Sequence, residues 1–188
     1  MKRLVILAVV AMFSSVALAE TVILDPSVFP AGTDVTTAYR GVRLETAQGT
    51  SQVYYLEVRE PLHLISDIVA PVYVNATGDR FAHAAGDIWS ANSLCCGSQT
   101  NVLKISFAKP ATTSVSVLFV ADDSDTVVLQ IYDREGVLLS ETYQRINGPA
   151  SVSLDAPPRK KIGFALATFA DTGRIATVTY TVPTKGRK

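Results

Sequence analysis

The sequence has few of the residues that most enzymes use at their active sites. Its 188 residues include two histidines, His63 and His83, and two cysteines. A Ser-His-Asp triad needs a histidine beside a nucleophile and a carboxylate, and the sequence has no G-x-S-x-G nucleophile motif. We therefore expect a protein that is not an enzyme, and keep a secreted hydrolase as a lesser alternative.

The sequence also lacks an excess of charge of either sign. It contains 17 basic and 17 acidic residues, so its formal net charge is zero. Nucleic-acid binding requires a concentrated basic face, and the clearest local excess of positive charge is the short tail TKGRK at 184–188. We expect no nucleic-acid partner and a disordered basic tail over these last residues.

The N-terminus has the three parts of a secretory signal peptide. Lys2 and Arg3 precede an apolar run, which ends in the small-residue site Ala17-Leu18-Ala19. The run is too short to span a bilayer comfortably. We predict a signal peptide over 1–19, cleavage before Glu20, and a secreted or periplasmic mature chain with no transmembrane segment.

Apolar and polar residues alternate in the second half of the chain, which is typical of strands with one buried face. Five runs show this pattern: NVLKISF (101–107), TSVSVLFV (113–120), TVVLQIY (126–132), KIGFALA (161–167) and ATVTYTV (176–182). Between strands, residue types that favour turns predict turns at 121–125, 133–136, 147–149 and 156–160. The pattern predicts one antiparallel β-sandwich domain over 20–183.

The first half is less regular, but strand candidates occur at 21–25, 41–47, 52–58 and 70–75. Within RFAHAAGDIWSA the apolar residues fall at helical spacing from Phe81 to Trp89. We predict a long connection over 78–101 that contains one short helix and ends in a turn at Cys95 and Cys96. Long loops on a rigid sandwich are common places for binding.

Four segments in order carry a family resemblance: AGTDVTTAYRGVRL (31–44), NVLKISFAKPATTSVSVLF (101–119), TVVLQIYDREGVLL (126–139) and VTYTVP (178–183). They resemble the jelly-roll sandwich domain of exported bacterial proteins that end in a Pro-Glu-Pro sorting anchor, although no such motif follows Pro183. The resemblance implies a jelly-roll-like, all-β fold with at most one short helix. In the resembled pattern, acids at the start of the last strand can hold a structural calcium ion, but Ala176 and Thr177 occupy those positions here.

Cys95 and Cys96 are adjacent, so three states are open to them: a disulfide between the two, a bond to another chain, or free thiols. Their Cα atoms lie about 3.8 Å apart across a trans peptide, below the usual range for a disulfide. A bond between them closes no loop and so adds little stability. We treat the pair as a disulfide candidate that stiffens a local turn.

Asp122, Asp123 and Asp125 offer oxygen ligands of the kind Ca²⁺ prefers, but loop aspartates more often belong to a solvated turn. We therefore expect no cofactor, with structural calcium as the alternative.

Trp89, Asn92 and Tyr54 are candidate glycan-binding residues, because aromatic faces stack on sugar rings and amides bind hydroxyl groups. The alternative places Trp89 in the core. The sequence thus predicts an exported binding or adhesion module for glycan or envelope polymer. The second hypothesis is a structural or assembly protein that contacts cell-surface proteins.

Overall fold

A computed structural model describes residues 19–54, 57–83, 86–87, 99–108, 112–169 and 173–183. The strands are β1 (Ala19–Leu24), β2 (Val42–Tyr54), β3 (Glu57–Ala70), β4 (Val72–Val74), β5 (Phe81–His83), β6 (Gly86–Asp87), β7 (Gln99–Phe107), β8 (Ser114–Tyr132), β9 (Leu138–Asp155), β10 (Phe164–Phe169) and β11 (Gly173–Pro183). A single 3-10 turn, Pro26–Val28, is the only helical element in these ranges. No helix within them has the length and apolarity to cross a membrane. The predicted fold class, an all-β antiparallel sandwich, is confirmed.

The main sheet has the strand order β1-β11-β8-β10-β7-β2-β3, and β9 pairs with the other edge of β8. The first half of β8, residues 114–121, pairs with β11, whereas residues 127–132 pair with β10. β9 runs antiparallel along both halves. The β8–β9 ribbon therefore belongs to two parts of the sheet, one with β1 and β11 and the other with β10, β7, β2 and β3.

The two parts face each other across one hydrophobic core. Phe119 in the first half of β8 packs edge-on against Phe169 of β10, with ring centroids 5.1 Å apart. Phe107 of β7 contacts Tyr180 of β11 at 5.0 Å. Phe119 lies in the half of β8 that pairs with β11 rather than β10, and β7 and β11 are not neighbours in the sheet. Both contacts therefore join the two parts, which form the two layers of a sandwich-like fold.

The predicted turns at 121–125 and 147–149 are wrong, because both segments lie inside long strands. Ala121 pairs with Gly148 and Ser124 pairs with Asn147, so Asp122 is part of a bulge in a continuous ribbon. A bulge bends a strand and sharpens its twist, which lets β8 pass between the two layers. The turns predicted at 133–136 and 156–160 are confirmed.

The short helix predicted around residues 81–89 is also wrong where the structure describes it. β5 pairs with β4 through His83 and Val72, and β6 follows as a third strand. Asn75 closes the β4–β5 hairpin, because its Oδ1 accepts the backbone N–H groups of Asp79 and Arg80. In the described residues this segment therefore forms a small sheet, and its Phe81 is fully buried in the main core.

β3 covers the outer face of the layer that contains β10, β7 and β2. A separate hydrophobic group, which we call the outer cluster, is formed by Leu62, Val102, Val128 and Leu166 from four different strands. Gly49 gives Leu62 room, because a Cβ atom at residue 49 would stand 2.8 Å from Leu62 Cδ1. β8 is consequently buried on both faces from residue 125 to 131.

A bulge in β3 leaves the backbone of Leu62 outside the β2–β3 ladder, since the register shifts between the pairs Thr50–His63 and Gln52–Glu60. Two side chains supply the hydrogen bonds that the Leu62 backbone would otherwise form with β2. The Leu62 N–H donates to Tyr143 Oη at 3.0 Å, and Gln130 Nε2 donates to the Leu62 carbonyl at 3.2 Å.

Gln130 itself is fully partnered, although it is only 1% exposed. Its Oε1 accepts from Tyr132 Oη at 2.8 Å, and its Nε2 also donates to Glu141 Oε2 at 2.9 Å. Buried polar groups are tolerated when they are hydrogen-bonded, so this network fastens β3 to the sheet.

Candidate functional site

A cavity of about 500 Å³ opens between the two layers, at the end of the sandwich where β1 and β11 meet the segment before β2. We call it the end cavity. Alternation along β1 turns Glu20, Val22 and Leu24 to the same face, and all three line the cavity. The paired strand β11 adds Tyr180 and Val182, since Val22 pairs with Tyr180 and Glu20 with Val182.

The opposite wall is the turn of residues 34–41. Asp34 Oδ1 accepts the Thr36 N–H at 2.8 Å. The pKa of Asp34 lies below its ordinary value, first because of hydrogen bonding with the Thr36 side chain and second because of this backbone bond. Thr36 Oγ1 in turn accepts the Val72 N–H at 3.0 Å, which ties the turn to β4. Gly41 ends it with a φ of +78°, a conformation that favours glycine. The chain then enters β2, with Tyr39 and Arg40 held against the cavity.

The floor of the cavity is apolar and aromatic. Its apolar and aromatic lining residues include Val22, Leu24, Tyr39, Phe107, Tyr180 and Val182. Leu24, Phe107 and Tyr180 are no more than 7% exposed, so the cavity reaches down to the main core. Such a floor is typical of small-molecule sites, which combine apolar walls with a few polar groups.

Tyr39 is the most unusual residue of the cavity. Its ring packs edge-on against Phe29 at 5.5 Å and Phe81 at 6.5 Å. Its hydroxyl is shielded from solvent and has no hydrogen-bond partner in the described part of the chain. Burial, together with the nearby charge of Asp25, holds the pKa of Tyr39 far above its ordinary value.

The rim of the cavity carries one charge of each sign. Glu20 lies close enough to Tyr180 that its carboxylate adds to the effect of burial, and both raise the pKa of that phenol. Arg40 is exposed on the opposite wall, and Thr112 contributes a nearly fully buried side chain. The described lining of the cavity offers hydrogen bonding and aromatic contact but no histidine or cysteine.

The structure describes one of the three sequence-predicted binding residues, Tyr54. Tyr54 is the last residue of β2 and pairs with Glu57 at the start of β3. Trp89 and Asn92 are outside the described residues, as are Cys95 and Cys96. The glycan and disulfide assignments of these residues stay predictions.

The three aspartates proposed as calcium ligands differ in exposure and in their partners. Asp122 and Asp123 are exposed, and Asp122 Oδ1 lies 3.5 Å from Arg174 Nη1. Asp125 is buried and accepts the Thr126 N–H at 2.6 Å. Across the described ranges, no three His, Cys, Asp or Glu side chains are grouped to hold a metal ion.

Comparison with known proteins does not assign the chain to a family. No protein-family model matches the chain, and no curated protein matches it. The resemblance to the jelly-roll domain of Pro-Glu-Pro sorted proteins therefore stays a prediction.

Sequence reasoning missed the end cavity because its residues come from four separate segments. Tyr39 and Arg40 stand in TAYRG, a short segment that reads as a turn. The alternating pattern in the runs 101–107 and 176–182 places Phe107 and Tyr180 on buried strand faces, which is correct. The pattern does not show which buried residues border an opening. The only local signal is an aromatic and a cationic residue placed directly before a glycine.

Proposed function

We propose that the protein is an exported, non-catalytic binding module and that the end cavity binds one sugar ring of a glycan. The observation that supports this most is the aromatic floor of Tyr39, Phe107 and Tyr180 beneath a polar rim. Aromatic rings present flat apolar faces to a ligand, whereas the rim groups suit hydroxyl groups. The volume of about 500 Å³ lies within the range of roughly 300–1,000 Å³ that is usual for ligand sites.

Blocking the cavity tests this proposal. Val182 lines the cavity and is only partly buried, so Val182→Trp fills the space without removing a core side chain. Val58→Trp is the matched control, because Val58 is 38% exposed on β3 and does not line the cavity. Binding of the full chain and both variants to a panel of neutral and acidic oligosaccharides is measured by titration calorimetry.

We expect the wild-type chain and the Val58→Trp variant to bind an oligosaccharide and the Val182→Trp variant to lose that binding. The proposal is overturned if the wild-type chain binds no member of the panel, or if the Val182→Trp variant binds as well as the control.

A structural or assembly protein is the second candidate, and β9 favours it. This strand of 18 residues hydrogen-bonds to β8 alone in the described part of the sheet, so its outer edge is open to another strand. Gly148 and Pro149 interrupt the edge, which is one way proteins limit edge pairing. Assembly through β9 predicts a concentration-dependent oligomer in light scattering, and a monomer at all concentrations contradicts it.

A further inference from the structure

A second cavity, of about 460 Å³, lies beside the end cavity. We call it the side cavity. Residues 39–41 and Phe107 line both, so the turn before β2 forms a partition between them. The side cavity extends from this partition to Arg43 at the start of β2 and to Ser106 at the end of β7. A ligand longer than one sugar ring in the end cavity therefore has a neighbouring space to occupy.

The two cavities differ in charge. The described lining of the side cavity includes two guanidinium groups, from Arg40 and Arg43, and no acidic side chain. Arg43 donates from Nε to Glu45 Oε1 and forms an ion pair with that carboxylate, so Arg40 carries the charge that has no counter-ion in the described lining. The end cavity, in contrast, has Glu20 on its rim.

Arg40 is the group that distinguishes this arrangement from an ordinary charged surface. It lines both cavities, and its side chain makes no hydrogen bond or ion pair with the described residues. The formally neutral chain has no excess of positive charge that would attract anions in general. An anion at this place is therefore held by local geometry, through the planar fork of donors that arginine presents to a carboxylate or a sulfate.

We propose that the side cavity is a subsite for an anionic sugar residue, so that the ligand is an acidic glycan with one ring in the end cavity and the charged ring against Arg40. This inference rests on the proposed function, because it names the class of glycan that the same site takes. Arg40 binds the anionic group of the sugar directly, whereas the charge of Arg43 is already paired with Glu45. Carboxylate and sulfate share this chemistry, and the experiment separates them.

The test compares three trisaccharides: a trisaccharide of galacturonic acid, a sulfated trisaccharide of galactose and the unmodified trisaccharide of galactose. Each is titrated into the full-length chain, the Arg40→Gln variant and the Arg174→Gln variant. Arg174 is the matched control, because it stands at the opposite end of β11 from Val182 and faces Asp122. Thermal melting of each variant checks that the fold is intact.

We expect at least one of the two anionic trisaccharides to bind more tightly than the neutral one. Arg40→Gln should weaken that anionic ligand by roughly tenfold to a hundredfold, the usual range for a hydrogen bond to a charged group. The neutral ligand should lose much less affinity, because Arg40 on the rim of the end cavity offers it only hydrogen bonds to hydroxyl groups. The melting temperature should be unchanged and Arg174→Gln without effect. Whichever anion responds more strongly to Arg40→Gln identifies the chemical group.

Two results overturn the inference, and they are distinguishable. If the neutral trisaccharide binds as tightly as both anionic ones, or if Arg40→Gln weakens all three equally, the acidic subsite is wrong while the glycan-binding function stands. If none of the three binds to the wild-type chain, the glycan-binding function fails and the subsite fails with it.

Discussion

Two tyrosines, Tyr143 at the outer cluster and Tyr39 at the end cavity, are half-buried in the same fold but differ in how their hydroxyl groups are satisfied. The Tyr143 hydroxyl accepts the Leu62 N–H and donates to Glu141 Oε2 at 3.1 Å. The Tyr39 hydroxyl is shielded and unpartnered in the described structure. A buried polar group without a partner destabilises the folded state by about 1–3 kcal/mol.

This difference indicates that the outer cluster contributes more to stability than the end cavity does. Around Leu62 the apolar contacts and the hydrogen bonds support each other, as expected of a structural cluster. At the end cavity the core is left open, and a polar group is left unsatisfied. Features of this kind are expected at binding sites, which trade stability for function.

The largest effect should come from the outer cluster itself. Leu62 is 1% exposed and is the β3 residue that covers the cluster, so Leu62→Ala should lower the free energy of unfolding by about 2–5 kcal/mol. Urea denaturation measures the change. Val58→Ala on the same strand is the control and should shift stability by no more than about 0.5 kcal/mol, as at most exposed positions. A small loss for Leu62→Ala would show that β3 does not contribute to the core.

The sequence predicts part of the contrast between the outer cluster and the end cavity, but not all of it. Alternation correctly gave the all-β fold and the inward residues Leu103, Ile105 and Phe107. It missed the outer cluster, because the run from 126 to 132 was interpreted as having one wet face, and Gln130 looks like a surface residue. Burial of Gln130 depends on β3 crossing the sheet, a tertiary contact that no local pattern encodes.

The candidate site was harder to predict for a related physical reason. Aspartates and glycine in ADDSD and NGP are typical of turns, but here both segments lie inside long strands, with one bulge in β8. The lining of the cavity comes from β1, β11, Phe107 and residues 38–41, which are far apart in the sequence. Residue type, on which the choice of Trp89 and Tyr54 rests, carries no information on such contacts.

The next effect tests the hydrogen bonds of the outer cluster. Tyr143→Phe keeps the ring but removes the acceptor of the Leu62 N–H, so the free energy of unfolding should fall by about 1–3 kcal/mol. Urea denaturation again measures it. Unchanged stability would mean that water replaces the phenol, and the network would then contribute no net stabilisation.

Alkaline pH should reveal the burial of the same phenol with a smaller effect. Burial, and secondarily the charge of Glu141, raise the pKa of Tyr143 from 10.0 to about 12. Because the folded pKa lies above the ordinary one, the contribution of the neutral phenol is fully present below pH 10 and is lost as the pH rises towards 12.

The melting temperature of the wild-type chain should therefore fall more steeply across this interval than that of Tyr143→Phe. The remaining decline in the variant reports other tyrosines with raised pKa values, among them Tyr132 and Tyr180. Parallel curves for the two proteins would contradict the assignment of a raised pKa to Tyr143.

The smallest effect on stability should come from Tyr39→Phe, the counterpart of Tyr143→Phe at the end cavity. This change removes a buried hydroxyl that has no partner in the described structure and keeps the ring that packs on Phe29 and Phe81. The free energy of unfolding should stay constant or rise by up to about 1 kcal/mol, because an unsatisfied polar group is lost without a cavity being formed. Glycan affinity should persist, since the aromatic wall is intact. A loss of stability as large as that of Tyr143→Phe would show that the Tyr39 hydroxyl is hydrogen-bonded in solution, and the contrast between the two tyrosines would then no longer separate a binding region from a structural one.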